Sequence, residues 1–275
     1  MSPAMNEATF SVFKEFIETN LGIRLPPAKK VMLEARLAKR VRALGLASHE
    51  EYCDYVFGSE GFDREIQQLI DAVTTNETSF FRESAHFGIL SERIFPELSA
   101  SGSLDVNIWS VAASTGQEAY TLAMVTEEYA RVNRVPLSYR ILGTDISEKV
   151  LRVARTGIYT EHQAERIPLA FKRLYCLRSS DPRAKTVRIR PEIRAKTTFR
   201  RLNLMDGKYP IARKYAIVFC RNVFIYFDRD TQRKVLERIY AHMTPGGYLF
   251  MGHSENIAGA AMPFKSVASA VYRRE

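Results

Sequence analysis

The residues best suited to chemistry in this chain lie at strand ends: Glu118 shortly after one expected strand, Asp145 closing the next, and Arg221-Asn222 following a third. In open α/β sheets ligands sit beyond the carboxyl ends of the strands, near the start of the first helix, so this placement points to one crevice. The first turn, AASTGQEAY (112–120), holds a single glycine, Gly116, and puts Glu118 in the first helical turn. A dinucleotide's pyrophosphate needs G-x-G-x-x-G so that backbone N–H groups approach it closely, and that fingerprint is absent. A carboxylate here better suits a cationic group. Asp145 stands where an acidic side chain accepts hydrogen bonds from ribose hydroxyls. It equally fits a helix start, where negative charge meets the helix dipole, and taken alone it does not choose between the two.

Two further segments belong with that crevice. TTNETSFFRES (74–84) sets Asn76, Thr78 and Arg82 around Phe80-Phe81. Its plain reading is a linker whose aromatics plug the core and whose arginine is solvated; polar side chains flanking aromatic ones can also close over a cofactor and exclude water. FCRNVFIYFD (219–228) follows an apolar run, and Val223, Phe224, Ile225 and Tyr226 read plainly as core. Yet Arg221 and Asn222 come at that strand's carboxyl end. A nucleic-acid amino-methyltransferase would want a Pro-Pro-Tyr-type turn here to hold a flipped base, and there is none. With Glu118, Asp145 and the Pro245-Gly246-Gly247 turn, an S-adenosylmethionine-dependent methyltransferase sheet fits better than a dehydrogenase.

The elements that must position these residues fall into two kinds. Over the first 75 or so residues only helical spacing is visible: Phe10, Phe13, Ile17 and Leu21 before Gly22, and Leu33, Leu37, Val41 and Leu44 before Gly45. Ser48 can cap a third helix through Tyr52, Tyr55 and Val56, and Phe62, Ile66, Leu69, Ile70 and Val73 make a fourth, enough for a small bundle. From about residue 104 strands alternate with helices: LDVNIWSVA (104–112), SYRILGTD (138–145) and KYAIVFC (214–220), with helices from Gly116, from Ser147 and over 230–243. This alternation predicts a parallel sheet covered on both faces. GYLFMGH and SVASAVYRR, too close for a crossover helix, predict an antiparallel partner at the edge. Between Arg152 and Lys214 there are 17 Lys/Arg against 5 Asp/Glu, and there TVRIR (186–190) and AKTTFRRL (195–202) alternate like a small inserted hairpin.

Composition bounds the function classes. With 275 residues, 46% hydrophobic and 26% charged, the chain is neither disordered nor fibrous. Its net charge of +9 favours acidic partners without saying which. Cys53, Cys176 and Cys220 are odd in number and widely spaced, so neither a disulfide framework nor a zinc site is signalled, and His86 and His253 lack metal-ligand partners at useful spacing. No metal is expected. No signal peptide or apolar span is visible, which predicts a cytoplasmic protein with no membrane insertion.

Taken together, the ordered motifs resemble those of the chemotaxis receptor methyltransferases, the CheR-like enzymes that methylate receptor glutamates with S-adenosylmethionine. The resemblance covers nearly the whole chain: RLAKRVRALGL (36–46), TTNETSFFRE (74–83), AASTGQEAY (112–120), GTDIS (143–147), LNL (202–204), FCRNVFIYFD (219–228), PGGYLFMGHSEN (245–256) and VYRR (271–274). It implies a Rossmann-like methyltransferase sheet with an N-terminal all-helical domain (1–75), an interdomain segment (76–100), and a catalytic domain (101–275) carrying a small inserted antiparallel β subdomain at about 178–202. It implies cofactor contacts from Asn76, Thr78, Arg82, Glu118, Asp145, Asn203, Leu204, Arg221 and Asn222, with Arg82 and Tyr226 at the reacting centre. The departures are Gln117 and Ala119, where the family's turn usually reads Glu and Pro, and Ala216, where an Asp is common.

The implied partner is an acidic helical segment of a methyl-accepting chemotaxis receptor, and the product S-adenosylhomocysteine. Residues 24–42 hold seven basic residues and one acidic, with Lys29, Arg36, Lys39 and Arg40 beside the apolar stripe. A solvated basic face is the ordinary explanation; the resemblance makes it the receptor-docking helix, through Arg36, Lys39 and Arg42. The chain is expected to act as a monomer with no nucleic acid. A nucleic-acid methyltransferase and a non-catalytic receptor-binding module are the alternatives.

Overall fold

The computed structural model describes residues 4–100, 102, 104–181, 183–257 and 262–275. The chain opens with α1 (Glu7–Leu21), α2 (Lys30–Ala43), α3 (His49–Phe57) and α4 (Phe62–Val73). Their ends follow local chemistry: Asn6 and Ser48 accept N–H bonds from Thr9 and Glu51, and Gly22 closes α1 at φ 69°. The apolar stripes meet in one core built on Phe13, Ile17, Leu37, Val41, Tyr52, Val56 and Leu69. One buried carboxylate crosses it. Glu65 takes Arg40 Nε at 2.6 Å and Nη2 at 2.9 Å, and the Tyr52 hydroxyl at 3.1 Å. Arg40 is thereby committed to the bundle.

The segment 76–100 is largely helical, with α5 (Ala85–Ile89), a π turn (Leu90–Ile94) and α6 (Phe95–Leu98). There follow β1 (Leu104–Val111), α7 (Gln117–Asn133), β2 (Leu137–Asp145), α8 (Glu148–Thr156), β3 (Ile158–Thr160), α9 (Leu169–Tyr175), β4 (Cys176–Arg178), β5 (Thr186–Ile189), α10 (Pro191–Ala195) and β6 (Thr197–Arg201). The chain ends with β7 (Tyr215–Cys220), α11 (Arg229–Ala241), β8 (Met243–Met251), β9 (Phe264–Ala268) and β10 (Val271–Arg274). The main sheet runs β6-β2-β1-β7-β8-β10-β9, parallel from β6 to β8 and antiparallel at β10 and β9. β1 has its sequence successor β2 on one side and β7 on the other, so the strand order reverses there and opens a crevice at the carboxyl ends. Apolar cores fill both faces, one around Phe219, Phe250 and Tyr120, the other around Trp109, Val218 and Leu249.

Two pairings differ from expectation. TVRIR and AKTTFRRL do not pair: β5 lies between β3 and β4 in a small antiparallel sheet, whereas β6 is the parallel edge strand beside β2. The small sheet therefore draws on 158–189 rather than 178–202. Both segments alternate, and alternation does not reveal the partner: Phe199 packs edge-on against Tyr120 of α7, which ties β6 to the main sheet. The terminal SVASAVYRR is likewise not one strand but two, turning at Ala270 (φ 54°).

Candidate active site

A cleft of about 290 Å³ opens ahead of β1, β2 and β7 and is roofed by the helical domain. That is near the lower end of small-molecule sites. The roof is fixed by specific bonds: Asn203 Nδ2 donates to Asn20 O at 2.8 Å, Arg24 N to Tyr226 O at 2.9 Å, and Arg36 Nη2 to Thr75 Oγ1 at 2.8 Å.

The turn between β1 and α7 is conformationally costly. Ala112 and Ser114 both take φ 51° and Gly116 φ 90°, where an added Cβ would stand 2.9 Å from Ala154 Cβ. Asp145 holds it, accepting Ser114 N at 2.9 Å on one oxygen and Ser147 N at 2.9 Å on the other. Ser114 Oγ donates to Asn76 O at 2.8 Å, which joins the interdomain segment to the turn. Asp145 is 6% exposed, and burial raises its pKa against the lowering effect of those N–H bonds. A carboxylate has about four acceptor positions, and the three backbone N–H groups that bear on this one, those of Ser114, Ser147 and Ile146, do not fill them all. Gln117, a departure from the family turn, is buried and accepts Thr115 Oγ1 at 2.6 Å.

Beneath the cleft Arg221 is a hub. Its Nε donates to Glu118 Oε2 at 2.8 Å, and its Nη1 to Arg82 O at 2.8 Å and His86 Nδ1 at 3.2 Å. Ser110 Oγ holds the other Glu118 oxygen at 2.7 Å, and Glu83 approaches Arg221 at 3.5 Å. An arginine only donates, so His86 Nδ1 is the acceptor. Glu83, His86 and His253 bring one ligand-type atom each within 4.8 Å of one another, a grouping that sequence spacing does not show. The cation two of them already face is Arg221 itself.

Of the residues singled out in sequence, Asn76, Arg82, Asp145, Asn203, Leu204, Arg221, Asn222, Tyr226 and Arg36 line this cleft together. Thr78 and Glu118 are not on its wall; Glu118 reaches it only through Arg221. Lys39 lines a neighbouring groove between α2 and α4, and Arg42 is exposed. Sequence reading passed over Glu255, which sits in the quoted PGGYLFMGHSEN motif and carries the turn after β7. Its being an acidic residue just past an apolar strand was the available signal.

Residues 8–74 match the CheR methyltransferase all-alpha domain and residues 76–273 the CheR methyltransferase SAM binding domain. The chain belongs to the CheR methyltransferase family. It is 37% identical over 249 residues to a chemotaxis protein methyltransferase of Borreliella burgdorferi, covering 89% of this chain and 87% of that one. It is 37% identical over 263 residues to chemotaxis protein methyltransferase 2 of Pseudomonas aeruginosa, with 96% and 91% covered. For the chemotaxis protein methyltransferase of Escherichia coli K12 the values are 34% over 269 residues, 98% and 91%. As a CheR methyltransferase the chain uses S-adenosylmethionine, and the cleft's free acceptor positions on Asp145 and its apolar wall of Leu202, Leu204 and Val223 fit a nucleoside. Among the described residues no helix is long and apolar enough to cross a membrane.

Proposed function

We propose that this CheR methyltransferase esterifies glutamate side chains of chemotaxis receptors, with the cleft ahead of β1, β2 and β7 as the place of transfer. The observation that carries the reading is that Arg82 and Tyr226, from segments 144 positions apart in the numbering, line the same cleft as Asp145. Asp145 would hold the ribose hydroxyls, Leu204 and Asn203 would border the adenine, and Asn76, Arg221 and Asn222 would complete the pocket. S-adenosylmethionine, when bound, supplies an electrophilic methyl group on a cationic sulfur.

An acceptor glutamate is ionised at neutral pH, so no general base is required and the protein's task is orientation and removal of water. Arg82 and the Tyr226 hydroxyl would orient the carboxylate. Arg82 is restrained for that purpose by its own Nη1 bond to Glu77 O at 3.0 Å and by Arg221 holding its carbonyl. That leaves the arginine partly engaged, which matters because a guanidinium paired too closely with the acceptor would blunt the nucleophile. The exposed Lys39 and Arg42, on the helix that roofs the cleft, would receive the acidic receptor segment.

The test is methyl transfer from labelled S-adenosylmethionine to a receptor cytoplasmic fragment, followed by mild alkali. Release of the label as methanol identifies a carboxyl methyl ester, as transfer to glutamate requires. Label that withstands alkali would show that the acceptor is not a carboxylate and overturn this reading.

A further inference from the structure

A carboxylate not yet assigned a role holds the turn that carries Asn222 and Tyr226. Glu255, 6% exposed, accepts Gly252 N at 2.7 Å and Asn222 N at 2.8 Å on Oε2. Its Oε1 accepts Val223 N at 2.8 Å, Phe224 N at 2.7 Å and Ile225 N at 3.3 Å. Those donors open the 3₁₀ turn Phe224–Tyr226, where N–H groups have no partner within the turn itself. The carboxylate is itself fixed by a reverse turn, Glu255 N donating to Gly252 O at 2.9 Å. At Gly252 a Cβ would come within 2.7 Å of Glu255 Oε2 and 2.9 Å of Asn222 N, so the approach of the β7 and β8 ends requires glycine. Asn222 is held at φ 59°, in the left-handed region that asparagine adopts more readily than most residues with a side chain.

We infer that Glu255 is a positioning residue for methyl transfer: by fixing the backbone of 222–226 it sets where the Tyr226 hydroxyl stands in the cleft, without touching cofactor or acceptor. The inference rests on the role given to Tyr226 above. Both Glu255 oxygens face donors only. A glutamine would therefore turn its amide N–H groups against backbone N–H groups in either orientation, and aspartate would fall a methylene short.

The experiment compares Glu255→Gln with the wild-type full chain by receptor-methylation kinetics, S-adenosylhomocysteine calorimetry and hydrogen exchange. The expected result is a kcat loss of about a hundredfold, as for a small misplacement of a reacting group. That loss should exceed any loss of S-adenosylhomocysteine affinity by about tenfold, with KM for the receptor little changed and faster exchange confined to 222–226. Wild-type kcat in a folded Glu255→Gln overturns the inference, and so does an equal loss of kcat and cofactor affinity with exchange raised across β7 and β8. Gly252→Ala, which wedges the same contact, repeats the comparison if Glu255→Gln does not fold. Tyr226→Phe runs alongside: unaltered turnover there overturns the Tyr226 role itself, whereas lost turnover there beside a normal Glu255→Gln overturns only the positioning role.

Discussion

Arg221 Nε lies 2.8 Å from Glu118 Oε2, with 2% of the arginine side chain and 12% of the glutamate side chain exposed. The pair joins the end of β7 to the first turn of α7, across the point where the strand order reverses. Burial makes each charge dependent on the other, since an unpaired ion in such surroundings has lost its water without compensation.

Removing one partner should therefore cost stability out of proportion to a surface pair. Arg221→Met leaves Glu118 uncompensated and is expected to lower unfolding free energy by about 3–5 kcal/mol. Arg221→Met with Glu118→Gln should cost less than the two single changes added together. Urea denaturation of the four proteins measures this, and strict additivity would show that the two groups do not act as a pair.

His86 predicts a pH dependence of definite sign. It is 1% exposed, and burial, with Arg221 and His253 adding to it and Glu83 opposing, pushes its pKa down to about 4. The unfolded value is about 6.5, so between those values the unfolded chain binds more protons. This contribution to stability is complete above the unfolded value and is lost as pH falls toward the folded one. In His86→Asn, whose side-chain oxygen can still accept from Arg221, stability should fall less steeply with acid than in the wild type over that window. Parallel curves would refute the assignment.

Receptor docking through α2 predicts a charge effect separable from chemistry. Reversing Lys39 and Arg42 to glutamate should raise KM for the receptor and reduce its salt dependence, leaving S-adenosylhomocysteine affinity unchanged, because neither side chain lines the cleft. Steady-state methylation at low and high salt reads this directly. Arg40 offers a contrast: although basic and on the same helix, it is bound to buried Glu65, so its loss should lower stability rather than docking.

The fold was legible wherever a local rule decides. The caps at Ser48 and Ser147 and the glycine stop at Gly22 stand where spacing placed them, and so do the helical stripes apart from Phe62, which is exposed. Strand partners were not legible, because TVRIR and AKTTFRRL carry the same alternation whether they pair with each other or with distant strands. The same limit applies to the cleft. Strand-end position sufficed to single out Asp145, Arg221 and Asn222, but the Glu255 cradle joins residues about thirty positions apart through backbone N–H groups, which leave no trace in side-chain pattern. Sequence singles out His86 and His253 but not their proximity, since only folding brings His253 beside His86 and its near neighbour Glu83.

The most direct test of the cleft as the seat of methyl transfer is calorimetric titration with S-adenosylhomocysteine of the wild type and of Asp145→Ala, with NAD as control. The wild type is expected to bind at micromolar affinity or tighter and not to bind NAD, with affinity lower by about ten- to a hundredfold in a folded Asp145→Ala, the loss expected for hydrogen bonds to a charged group. Equal affinity in the two proteins would place the cofactor elsewhere and contradict the account.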